Sequence, residues 1–209
     1  MSVLPNSNSE YATREYWEDR YRKEGPAATY DWFKTYADIS EIIHQIIPDR
    51  ASRILMLGCG NSTLSEEMYD DGYENIVNID YSSVLIENMK HIHEEARPKM
   101  TWLEMDIRAL QFEDDSFDVV LDKGTMDALL AVKGSLWDPP AEAVENCTKE
   151  VLEALRVLRP GKGIFFYLTF GQPHFRKRYL THPNTTLEVS TLGTSFHYYL
   201  YVLRKHDRQ

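Results

Sequence analysis

The stretch Arg53-Ile-Leu-Met-Leu-Gly-Cys-Gly-Asn-Ser62 decides the fold. Ile54 to Leu57 are apolar without alternation, as expected of a strand buried on both faces of a parallel sheet. They run into Gly58 and Gly60, residues that let a ligand approach the main chain closely. Thr63 stands where a G-x-G-x-x-G turn has its third glycine. A pyrophosphate therefore fits poorly, and an adenosyl amino acid, which has none, fits better. Asp80 lies twenty residues past Gly60, after a second apolar run, Asn75-Ile-Val-Asn-Ile79. A carboxylate there can accept hydrogen bonds from both hydroxyls of a ribose, and Tyr81 beside it can pack on adenine. Asp106 follows a third run, Thr101 to Glu104, and is placed for an adenine amino group, with Ile107 over the ring. Each feature alone also reads as a turn, a helix cap or a loop acid. Together, after three successive strands, they point to one ligand crevice.

Working outward, helical spacing predicts a helix from about Thr13 to Glu24 with Trp17 and Tyr21 on one face, and a second carrying Tyr36, Ile39, Ile43 and Ile47 up to Pro48. Thr63 with Glu66 reads as a capping box, and Gly72 as the end of the helix it starts. Ser82 or Ser83 caps a helix with Leu85, Met89 and Ile92 inward. Phe117 to Leu121 is a fourth strand, so Asp122, Lys123, Gly124 and Thr125 are expected to open onto the crevice. Asp122 or Asp127 there could orient a cationic acceptor, although Asp127 also reads as a helix-surface residue. Asp118 belongs to the opposite edge and is structural. A helix from Ala141 to Leu158 and a strand from Gly163 to Phe170 follow. Leu187 to Leu192 and Phe196 to Leu203 have only Gly193, Thr194 and Ser195 between them, too few for a parallel crossover, so they form an antiparallel hairpin. The expected fold is α/β: a Rossmann-like, mostly parallel seven-strand sheet ending in that hairpin, with helices on both faces. One domain over 1–209 is expected, with 1–50 a helical lid, 51–209 the core, residues 1–9 a loose leader and a short polar tail.

The 209 residues carry a formal net charge of -10, which disfavours phosphate backbones and hence nucleic acid, and leaves a basic protein or a cationic small molecule as partner. No apolar run approaches the ~20 residues of a membrane span, and the N-terminus lacks a secretory or transit pattern. Cys59 and Cys147 have no CxxC partner, and His174 and His197 no ligand spacing, so neither a disulfide framework nor a metal site is expected, and the cytoplasm is the expected location. His174 and His197 read as loop or sheet residues, and Pro139-Pro140 as a turn or a border of the acceptor channel. These features lead to S-adenosylmethionine-dependent methyl transfer, with S-adenosylhomocysteine as product. A small-molecule methyltransferase and a non-catalytic adaptor of the same fold are the alternatives.

The GCGNS turn, Asp80-Tyr-Ser82 and Asp122-Lys-Gly-Thr-Met-Asp-Ala128 resemble the elongation factor 1-alpha lysine methyltransferases, close to the methyltransferase-like 13 group. The resemblance extends from Tyr16-Trp-Glu-Asp-Arg-Tyr21 and Tyr30-Asp-Trp-Phe33 through His174-Phe-Arg176 and Phe196-His197. It implies a protein-lysine acceptor on elongation factor 1-alpha. It also implies that Trp17, Tyr21, Trp32, Gly58, Asp80, Tyr81, Asp106, Ile107 and Lys123 line the donor site, with a contact through the backbone alone as the alternative for Lys123. Two patterns are absent. No Asn-Pro-Pro-Tyr follows the fourth strand, which argues against base or glutamine amides as acceptors. Thr125 stands where an Asp-x-x-Tyr motif after Asp122 has its tyrosine.

Overall fold

The computed structural model describes residues 4–194 and 196–208. Residues 1–3 of the expected leader, Ser195 of the hairpin turn and the last residue of the tail lie outside the described residues. Seven strands form one sheet in the order β3-β2-β1-β4-β5-β7-β6. They are β1 (Ile54–Leu57), β2 (Ile76–Asp80), β3 (Thr101–Glu104), β4 (Val119–Lys123), β5 (Ile164–Thr169), β6 (Thr185–Leu192) and β7 (Tyr198–Lys205). The pairs among β1 to β5 are parallel, while β7 runs antiparallel to both β5 and β6.

Two apolar cores lie on the two faces. On one, Ile54, Met56, Ile76, Val119 and Phe166 meet α1 (Arg14–Glu24), α2 (Tyr36–Ile46), α3 (Leu64–Asp70) and α4 (Ser83–His93). On the other, Leu55, Leu57, Ile79, Val120 and Phe165 meet α5 (Thr125–Leu129), α6 (Ala141–Val157) and α7 (Pro173–Leu180). Strict alternation along β1 supplies both faces at once, which is why its sequence reads as an unbroken apolar run. In α2, Ile39 and Ile43 are buried at spacing four, and burying each such side chain is worth ~1.5–3 kcal/mol.

Several local expectations need correction. Thr63 forms no capping box: its backbone is already helical, and its hydroxyl donates to Asp31 (2.8 Å) and Glu67 (3.1 Å). Ser62 takes over, its Oγ accepting from the Leu64 amide at 3.1 Å. In α4 the inward face is Leu85, Ile86, Met89 and His93, and Ile92 is exposed. Ser82, not Ser83, caps that helix by accepting from the Leu85 amide. The leader is ordered at its end: Asn8–Ala12 is a 3-10 turn capped by Ser7. His174 is helical, on α7, and stacks on Trp137. The fourth strand starts two residues later than Phe117, a shift with consequences for the site.

Candidate active site

A crevice of about 790 Å³ opens where β1, β2, β3 and β4 end. This is a usual size for a small-molecule site and a usual place for one in an open α/β sheet. Gly58 turns the chain after β1 with φ +54, in the left-handed region, and a Cβ there would run into the Thr125 side chain. The Thr125 hydroxyl fills that space and donates to the Leu57 carbonyl at 2.9 Å, locking the ends of β1 and β4 together. Asp80, 4% exposed, accepts from the amides of Gly60 (3.1 Å) and Ser82 (3.0 Å). Burial raises its carboxyl to about 6 although both amides pull the other way. A carboxylate has about four acceptor sites, so lone pairs remain for a ligand. Tyr81 and Ile107 line the same crevice, as does Asp106, which is held by Arg108 through the backbone amide and the guanidinium at 2.7–3.1 Å. Burial opposes ionisation of Asp106, but those bonds outweigh it and keep the group below the usual carboxylate range.

The N-terminal segment closes one side. Trp17, Tyr21, Tyr30 and Trp32 all line the crevice. Trp17 stacks on Tyr21 with ring centroids 5.7 Å apart and donates from Nε1 to the Tyr11 carbonyl at 2.7 Å. Arg20 is buried, pairs with Glu24 at 2.9 Å, and sits 5.2–5.7 Å from the rings of Trp17, Tyr30 and Trp32. Such cation–π contacts hold the aromatic wall in shape. Asp31 faces the other way, toward the sheet. It receives Lys123 Nζ at 2.7 Å, the Thr63 hydroxyl at 2.8 Å and the Ser62 hydroxyl. Burial lowers the Lys123 ammonium, an effect that Asp31 partly offsets.

The sequence profile of a methyltransferase-domain family matches residues 48–173. The mouse protein named EEF1A lysine methyltransferase 4 is 37% identical over 205 residues, covering 97% of this chain and 79% of that protein. The chain belongs to this methyltransferase family. The human eEF1A lysine and N-terminal methyltransferase is 38% identical over 182 residues, 87% of this chain and 25% of its own length. Among solved structures, a SAM-dependent methyltransferase from Methanosarcina mazei aligns with TM-score 0.58 at 19% identity, covering 86% of this chain and 100% of that one. The [4+2]-cyclase SpnF aligns at 0.65 and 15% identity, covering 100% and 99%. A cyclase on the same fold shows that the fold alone does not assign the chemistry. The family does: the chain is an S-adenosylmethionine-dependent methyltransferase. No helix among the described residues is long and apolar enough to cross a membrane.

Of the residues singled out in the sequence, the crevice of the methyltransferase brings together Trp17, Tyr21, Trp32, Gly58, Gly60, Asp80, Tyr81, Asp106, Ile107 and Lys123. Asp122 is the exception. It was expected to open onto the crevice, but it is fully buried, its two oxygens accepting from the amides of Thr125 (2.7 Å) and Met126 (3.0 Å). It caps α5 and does not face an acceptor. Asp127 is no surface residue either: it is buried in an ion pair with Arg176 (2.8 Å) and accepts from Tyr167 and Thr169. Asp118 is structural as expected, bound to the Arg53 amide and to Arg159 and Lys162. Thr125 lines the crevice as expected, whereas sequence reasoning missed Asp31, Arg20 and Arg108. For Asp31 a signal existed: in Tyr30-Asp-Trp32 the two aromatics line the crevice and the acid between them points away from it, a period-two pattern.

Proposed function

We propose that this methyltransferase transfers a methyl group to a lysine side chain of elongation factor 1-alpha. The observation that carries the reading is the match to EEF1A lysine methyltransferase 4 along 97% of this chain. Asp80 holds the ribose through the lone pairs left by Gly60 and Ser82. Asp106, with Arg108 fixing its orientation, takes the adenine edge, and Tyr81 and Ile107 flank the ring. Gly58 and Gly60 let the main chain approach the amino-acid part of the donor. Lys123 contributes its backbone, because its ammonium is turned toward Asp31. Residues 1–50 act as a lid, with Trp17, Tyr21 and Trp32 as its inner wall.

Bound S-adenosylmethionine supplies an electrophilic methyl on a sulfonium. The protein's task is to align a neutral amine with it. A free lysine has a pKa near ~10.4, and removing its ammonium from water favours the neutral form. The aromatic wall excludes water and its ring faces tolerate the cation before the proton leaves. Alignment and desolvation then replace a dedicated base, a role that buried Asp122 does not fill. The deciding assay incubates purified elongation factor 1-alpha and its single Lys→Arg variants with enzyme and donor, and locates added methyl groups by mass spectrometry. One lysine gaining mass supports the reading. An unmodified factor, with label passing to a small metabolite, overturns it.

A further inference from the structure

A line of aromatic rings leads out of the crevice onto the surface. Trp32 lines the crevice, and its ring centroid is 6.4 Å from that of Phe33. Phe33 is 5.6 Å from both Phe170 and Tyr198, and Tyr198 is 5.1 Å from Phe196. Phe170 and Phe196 are 47% and 63% exposed. Phe33 adopts φ +66, a rare and costly backbone for a bulky residue. Its ring lies against Gly124, where a Cβ would come within 2.9 Å of it, and Gly124 also lines the crevice. Two unusual backbone conformations thus seat one ring at the β4 edge of the crevice.

Sheet order explains the location. Asp106, Asp80 and Gly58 follow β3, β2 and β1, so a ligand spanning them ends beside β4. Beyond that point lie β5 and β7. Phe170 directly follows β5 and Tyr198 begins β7, at the same edge of the sheet as the end of β4.

We propose that Phe33, Phe170, Tyr198 and Phe196 form the docking strip for the acceptor-bearing segment of the protein substrate. The proposal rests on the lysine-methyltransferase reading above. Its occupant is an extended segment of a basic protein: the lysine enters past Phe33, and its neighbours lie across Phe170 and Phe196. Two observations select this occupant. Phe170 and Phe196 are exposed and do not line the crevice, so they are placed for a macromolecule rather than for a metabolite held within it. The net charge of -10 favours encounter with a basic partner.

The test uses the full chain with Phe170→Ala, Phe196→Ser and both together, assayed against intact elongation factor 1-alpha. Truncating an exposed aromatic anchor raises the acceptor KM about tenfold at Phe170 and about threefold at Phe196, while donor affinity by calorimetry stays within about twofold. Phe33→Leu is a third variant; if it fails to fold, the exposed pair still decides. An acceptor KM within about twofold of wild type in the double variant overturns the strip, and methylation by the wild type then leaves the lysine reading intact. A wild-type enzyme that leaves the factor unmethylated overturns both.

Discussion

At the end of β2 and near the end of β4 the chain buries an aspartate, and each carboxylate accepts two main-chain amides. Asp80 binds Gly60 and Ser82, Asp122 binds Thr125 and Met126. Burial raises both to about 6. Yet Asp80 lines the crevice and Asp122 does not. Strand parity makes the difference. Leu57 lies opposite both Ile79 and Asp122 in the parallel register, so Asp122 shares the sheet face on which Leu57 and Ile79 pack with α5 and α6. Asp80 is one residue further along and turns to the other side. There it meets the glycine turn, whereas Asp122 meets Glu150, a fully buried acid whose oxygens find no hydrogen-bond donor among the described residues. Burial, then the neighbouring Asp122, pushes the Glu150 carboxyl well above the usual carboxylate range. One aspartate faces the crevice and the other is enclosed in the core, although their local bonding is nearly identical.

The widest expected separation is in stability. Asp122→Ala strands two buried amides and should cost ~2–4 kcal/mol in denaturant unfolding. Asp80→Ala should instead act on the donor, weakening S-adenosylmethionine binding by ~1.5–3 kcal/mol in calorimetry, with a smaller loss of stability. A folded Asp80→Ala variant with unchanged donor affinity would remove Asp80 from the site and erase the contrast.

The shared value near 6 sharpens the comparison further. If ribose hydroxyls donate to an ionised Asp80, as proposed, the donor binds the deprotonated form. Below about pH 6 the free enzyme holds a proton there that binding must expel, and donor affinity should fall with decreasing pH by up to ~1.4 kcal/mol per unit. Asp80→Asn should flatten this profile, and Asp122→Asn should leave it in place. Stability has its own sign. Both carboxyls are raised above their unfolded values, so the folded state holds more protons than the unfolded one between about pH 4 and 6, and the stability this adds at low pH is lost as pH rises through 6. The smallest effect concerns the N-terminal wall of the crevice. Trp17→Phe removes the hydrogen bond to the Tyr11 carbonyl and should weaken donor binding by ~0.5–1.5 kcal/mol, read by calorimetry. No change would make the Tyr11 turn irrelevant to the crevice wall.

The sheet, its hairpin and the acids that line the crevice were legible because each rests on local pattern: an apolar run, a glycine turn, an acid directly after. Asp122 was misread because a strand placed at Phe117 to Leu121 leaves it beyond the strand, whereas β4 runs to Lys123 and keeps it inside. A boundary error of two residues matters little for a fold and decides which side of a sheet a carboxylate faces. Asp127 and Arg176 escaped for another reason. They are 49 positions apart, and nothing local marks a buried pair joined only by the packing of α5 against α7 and β5. The short helix α7 was missed as well, at eight residues too brief for an apolar rhythm to establish itself.

Asp31 has a practical consequence for anyone recombining this enzyme with a relative. The obvious place to join two parents is the gap before β1, near residue 50, where the helical segment gives way to the sheet. Asp31, however, belongs to the sheet side in every bond it makes: Ser62 and Thr63 after β1, Lys123 at the end of β4. A chimera cut near residue 50 would take this acid and its three partners from different parents, so the counterion of Lys123 would depend on the other parent's residue at position 31. A junction upstream of Tyr30, in the Gly25-Pro-Ala-Ala28 stretch, keeps the set within one parent and exchanges the Asn8–Ala12 turn and α1.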